Sequence, residues 1–112
     1  MRIAIPIAAG KLAMHFGHCE QFAIIDVDPG KKESGETQFL AAPAHQPGLL
    51  PAWLAQQDVN LVIAGGMGQR AHNLFSQQNI QVVVGAAAVE PEILVREFLD
   101  GTLAVGENIC DH

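Results

Sequence analysis

Two imidazoles, a thioether and a thiol lie in one short run, Met14-His15-Phe16-Gly17-His18-Cys19. The chain has five His, two Cys and three Met, and four of these side chains fall in that run. Thiolate and imidazole together suit soft or borderline metals, so His15, His18 and Cys19 are candidate metal ligands. Met14 reads better as a packing residue than as a thioether ligand. A second pair, Cys110 and His112, closes the chain. His45 lies in a Pro-rich loop and His72 on an expected helix, each without a partner nearby in sequence, and both read as ordinary histidines.

The elements that must position these groups are legible from periodicity. Ile3, Ile5 and Ile7 alternate with small residues, as in a strand ending at Ala8. The metal-ligand run therefore belongs to the loop from Ala8 to Cys19, at a strand end where a rigid sheet commonly carries binding chemistry. Phe22 to Val27 reads as a second strand, stopped by the turn residues Asp28-Pro29-Gly30. Lys31 to Glu36 is polar and solvated, and Thr37 to Ala42 is expected to be an edge strand. Leu50, Trp53, Leu54 and Gln57 have helical spacing, with Pro51 acceptable in the first turn. Leu61 to Ala64 and Ile80 to Val84 read as strands buried on both faces. Between them, Gly65-Gly66-Met67-Gly68 leads into a helix with Ala71, Leu74 and Phe75 on its inner face. Glu90-Pro91-Glu92 opens a last helix, with an apolar face of Ile93, Leu94 and Phe98 and a stop at Gly101.

The order β-β-β-α-β-α-β-α predicts an α/β fold: a mixed five-stranded sheet with helices on both faces. Its closing βαβα part requires parallel strands and right-handed crossovers. Pro6 conflicts with a central first strand, where a missing N–H is costly, unless pairing stops near it.

Composition bounds the function. A chain of 112 residues, 49% hydrophobic and 16% charged, is expected to fold as one domain, residues 1–112. The net charge of −6 repels phosphate backbones, which disfavours nucleic acid as a partner. No apolar run approaches the ~20 residues of a membrane span, and the N-terminus lacks a signal-peptide pattern. A cytoplasmic protein with Cys19 and Cys110 as reduced thiols is expected.

Ligands of open α/β sheets bind beyond the carboxyl ends of parallel strands. Three loops should meet there: Ala8 to Cys19, Gly65 to Gln69, and Gly85 to Val89. The second offers backbone N–H groups of Gly66, Met67 and Gly68 at a helix N-terminus, suited to an anion. It is neither a dinucleotide fingerprint nor a phosphate loop. Lys11 and Arg70 fall beside the same pocket and could balance negative charge. The tail from 102 to 112 reaches up to ~36 Å when extended, so Cys110 could return to the site, and a flexible end fits the residues equally well.

Taken end to end, Met1 to Pro6, His15 to Phe22, Gly65 to Gly68 and Glu97 to Leu103 resemble the dinitrogenase iron–molybdenum cofactor family. That group includes NifX-type cofactor carriers and the C-terminal part of NifB. Asn108 to His112 is also similar to the ending of some small stand-alone members. The resemblance implies a ribonuclease-H-like fold and non-covalent binding of an anionic iron–sulfur, iron–molybdenum or molybdenum–copper sulfide cluster. It implies carriage or delivery without catalysis, and cluster-assembly partners that include a nucleotide-binding ATPase. His15, His18, Cys19 and Cys110 are then the expected cluster ligands, with Gly66, Met67, Gly68, Lys11 and Arg70 around them. The protein would work as a monomer, or as a homodimer sharing a cluster.

Other classes compete less well. A nuclease needs clustered carboxylates for Mg²⁺ or Mn²⁺, and no acid precedes Glu20. A closed zinc site of His15, Cys19, Cys110 and His112 is the alternative metal chemistry. An adaptor docking the assembly ATPase through its acidic surface is the alternative binding role.

Overall fold

The structure is a computed structural model, and it describes residues 1–16, 19–43 and 48–103. The chain runs β1 (Arg2–Ala8), β2 (Lys11–Leu12), β3 (Gln21–Asp28), β4 (Glu33–Ala41), α1 (Leu49–Gln56), β5 (Leu61–Ile63), α2 (Gln69–Gln77), β6 (Gln81–Val83) and α3 (Pro91–Asp100). The sheet order is β4-β3-β1-β5-β6, with β2 also paired to β1. Strands β2 and β3 are antiparallel to β1, β4 is antiparallel to β3, and β1, β5 and β6 are mutually parallel.

Two apolar layers cover the sheet because side chains alternate along each strand. Ile3, Ile5 and Ile7 point to one face, where they meet Leu94 and Val95 of α3. Ala4, Phe22, Ile24 and Val62 point to the other, against Leu50 and Leu54 of α1 and Phe75 of α2. Each inward side chain removed from water contributes about 1.5–3 kcal/mol, and this sets which faces the helices cover. A bidentate ion pair from Arg2 Nε to Asp26 Oδ1, 2.8 Å, clamps the far end of β1 to β3.

Four expectations need correction. The sheet has six strands rather than five. The extra one, β2, is a two-residue strand, too short for any alternation to show in sequence. It folds back on β1 through Ala9 and Gly10, both at positive φ (54° and 80°), the backbone of a tight hairpin turn. Strand β4 begins at Glu33 rather than Thr37. Its pairing to β3 continues past an irregularity between Ile25 and Val27, and the polar residues there are tolerated on an exposed edge. Strand β6 is half-buried rather than buried on both faces, because it is the other edge. Finally, Ile93 is 43% exposed, and Val95 takes its place in the core. The helical repeat puts Pro91, Leu94, Val95 and Phe98 on one side and Ile93 opposite.

Pro6 is accommodated by where its nitrogen points. Its carbonyl accepts from the Ala13 N–H at 2.8 Å, on the side of β1 away from β3. The ladder from β1 to β5 has its last pair at Ala4 and Val62. The missing donor thus faces a place where the two parallel strands have already parted, and the β1–β3 ladder runs past it unbroken.

Candidate functional site

The parting of β1 from β5 makes room for the segment carrying His15. One side of that segment is held to β1 by the Ala13 N–H to Pro6 bond. The other is held to the β5–α2 turn: His15 and Gly66 form an isolated parallel bridge, and the Phe16 N–H donates to the Gly66 carbonyl at 3.1 Å. The third loop joins through Gly85 N–H to Gly65 carbonyl, 2.8 Å, and Leu12 N–H to Val89 carbonyl, 3.0 Å. All three loops at the carboxyl ends of the parallel strands are therefore hydrogen-bonded into one unit.

Apolar contacts reinforce it. Phe16 is buried, edge-on to Phe75 with ring centroids 5.4 Å apart and tilted to Phe22 at 5.9 Å. Sequence reading assigned Phe16 no role, yet it anchors the loop that carries His15. Glu20 is a second residue it passed over. The Glu20 N–H donates to the Ile7 carbonyl at 2.8 Å, and its carboxylate accepts the Ala9 N–H at 2.8 Å, closing the base of the loop over the β1–β2 hairpin. Met14 packs through its backbone on Gly65, and its residue as a whole is 40% exposed.

The predicted ligands are placed unevenly. His15 is exposed beside Gly66. Cys19 is half-buried against the α1–α2 core and is not in a disulfide, and burial pushes its thiol up to about 11. His18 and Cys110 lie outside the described residues, as do His45 and the tail from 104 to 112. Among the described residues, no three of His, Cys, Asp and Glu gather as a metal-ion site. The Met67 side chain is buried in the core, so it is not a side-chain ligand. His72 is half-buried on α2.

Helix α2 starts at Gly68 with no side-chain cap and no acid in its first turn, and its first internal bond runs from His72 N–H to the Gly68 carbonyl. The N–H groups of Gln69, Arg70 and Ala71 thus have no acceptor within the helix and leave partial positive charge at this end. Arg70 on α2 and Lys11 on β2 are both exposed. The arrangement offers imidazole, a protonated thiol, uncapped N–H groups and two cations at one end of the sheet. Such a site can hold an anion that also has soft metal atoms.

A small α/β protein with three loops hydrogen-bonded together at the carboxyl ends of its parallel strands is what fold and geometry define. The chain belongs to the dinitrogenase iron–molybdenum cofactor family, whose sequence profile matches residues 1–101. It is 33% identical over 106 residues to the uncharacterized protein MJ0580 of Methanocaldococcus jannaschii, covering 92% of this chain and 89% of that one. The solved structure of PH0822 is similar with a TM-score of 0.87 and 24% identity, covering 96% of both chains. The apo form of the orange protein from Desulfovibrio gigas is similar with a TM-score of 0.71 and 20% identity, over 96% of this chain and 93% of that one. These structures share the fold. Among the described residues, no helix is long and apolar enough to cross a membrane.

Proposed function

We propose that the chain binds an anionic metal–sulfur cluster as cargo and carries or delivers it, with no reaction of its own. Membership of the iron–molybdenum cofactor family supports the class of ligand. The observation that carries the site is the pairing of His15 with Gly66, which puts the imidazole-bearing loop against the uncapped start of α2. In this reading His15 and Cys19 ligate exposed metal atoms, and His18 and Cys110 complete the set. The N–H groups around Gly66, Met67 and Gly68 hydrogen-bond to cluster sulfides, and Lys11 and Arg70 balance the charge. A cytoplasmic unit spanning residues 1–112 would receive the cluster from assembly proteins, a nucleotide-binding ATPase among them. The strand order and directions support reading the fold as ribonuclease-H-like. The cargo could be iron–sulfur, iron–molybdenum or molybdenum–copper sulfide.

Anaerobic reconstitution tests this, in one arm with iron and sulfide and in another with tetrathiomolybdate and copper. Protein-bound visible absorption at a fixed stoichiometry is expected in at least one arm. The double variant His15→Ala, Cys19→Ser should lose most of it. Unchanged binding by that variant overturns the site. Colourless protein in both arms, with tightly bound zinc and no sulfide, overturns the function in favour of the closed zinc site.

A further inference from the structure

The loop that presents His15 carries one more soft donor than the proposed ligand set uses. Ala13 and Phe16 are buried, while Met14 and His15 between them are both exposed. Side chains of a straight strand alternate between faces, so two consecutive residues on the solvent side require a break in it. The chain bends at Met14, and the bend brings a thioether and an imidazole out side by side. The chain has two other methionines, and neither is placed this way. Met67 is buried in the core. Met1 is 46% exposed but precedes β1, so the length of that strand, about 20 Å, separates it from the loop.

The backbone under the pair is held on both sides. The Ala13 N–H donates to the Pro6 carbonyl at 2.8 Å, and the Phe16 N–H to the Gly66 carbonyl at 3.1 Å. Between these bonds the Met14 backbone lies in close contact with Gly65. A rigid base of this kind fixes where the two side chains start, while the unbranched methionine can swing its sulfur toward a metal on the imidazole. Cys19 is half-buried against the α1–α2 core, so Met14 and His15 are the more exposed donors of the loop. A thioether is a soft donor, suited to Cu(I) rather than to harder ions, and imidazole suits copper as well.

We infer that Met14 and His15 form a Cu(I)-binding pair, with the Met14 Sδ and one ring nitrogen of His15 on the same copper. That copper is a free ion or the copper of a sulfide cluster, and both present the same soft centre. The inference deepens the proposed cluster site and rests on that reading for the role of His15. It adds a donor and a metal preference.

NMR of the full chain with isotope-labelled methionine methyl groups, kept free of air, tests it. Separate arms receive Cu(I) alone, tetrathiomolybdate with Cu(I), and iron with sulfide. The Met14 methyl resonance should shift in at least one copper arm and stay in place in the iron arm, with Met1 and Met67 unmoved throughout. A shift with copper alone assigns a free ion. A shift only with tetrathiomolybdate present, and molybdenum bound in fixed ratio to copper, assigns a cluster copper. Met14→Leu keeps the volume of an exposed side chain and should weaken Cu(I) binding about tenfold or more against a chromogenic chelator. His15→Ala should abolish the Met14 shift. A Met14 methyl unmoved in both copper arms overturns the inference, even where the chain takes up a cluster and the proposed function stands. So does a shift as large in the iron arm, or Met14→Leu binding Cu(I) as tightly as the parent chain. Copper on the pair with no cluster taken up in any arm leaves the inference standing and overturns the proposed function instead.

Discussion

Gly65 lies so close to Met14 that a Cβ added to it would sit 3.0 Å from the Met14 carbonyl oxygen and 3.1 Å from its Cα. These are backbone atoms of the loop that presents His15, and that loop is held on both sides by hydrogen bonds. Gly65→Ala should therefore push the loop away from the β5–α2 turn. We expect a stability loss of about 1–3 kcal/mol by denaturant unfolding, together with weaker cluster uptake. Gly68→Ala is the control. A Cβ there meets nothing within 4 Å and φ is −68°, so stability should stay within about 0.5 kcal/mol. Equal effects of the two substitutions would refute the close contact as the cause.

Burial raises the Cys19 thiol to about 11 from an ordinary value near 9.0. The folded chain keeps that proton between about pH 9 and 11 while the unfolded chain releases it. Stability should therefore fall as pH rises through this window, by about 1 kcal/mol once partial exposure is allowed for. Unfolding of Cys19→Ala over the same range should show a flatter profile. In a Cys110→Ser background, Cys19 should react tens of times more slowly than an ordinary thiol with a disulfide reagent at pH 8. Metal uptake must displace the same proton, so it should strengthen with pH. A fast, pH-independent thiol reaction would contradict the burial.

Lys11 and Arg70 are exposed, on β2 and in the first turn of α2. Their joint replacement by Ala should leave the melting temperature unchanged. Affinity for tetrathiomolybdate at low salt should fall about three- to tenfold, and the difference from the parent chain should shrink as salt screens the charges. Titrations at about 20 mM and 500 mM salt check this. Equal affinities at low salt would remove both residues from the site.

Much of the fold is local and so can be read along the chain. Alternation at Ile3, Ile5 and Ile7 marks β1, and the helical repeat at Leu50 and Leu54 marks α1. Gly101 at φ 74° ends α3 as a glycine cap should. The family itself was legible because its short motifs recur in one order along the chain. The run from Met14 to Cys19 offered candidate soft ligands by residue type alone.

What tertiary structure decided is which of these groups meet, because pairing between distant segments leaves no periodic trace. Strand β2 exists only because β1 is there to pair with it. Val82 and Val83 of β6 look as apolar as the residues of β5, and only the sheet order makes one strand an edge and the other central. Ile93 and Val95 are equally apolar neighbours, and the side on which β1 and β3 lie picks Val95 for the core. Residue types in the Met14–Cys19 run determined what chemistry was available. The separation of β1 from β5 beyond Ala4 and the bond from Phe16 to Gly66 decided where His15 would stand. Burial of Cys19 against the α1–α2 core decided the protonation state in which its thiol waits.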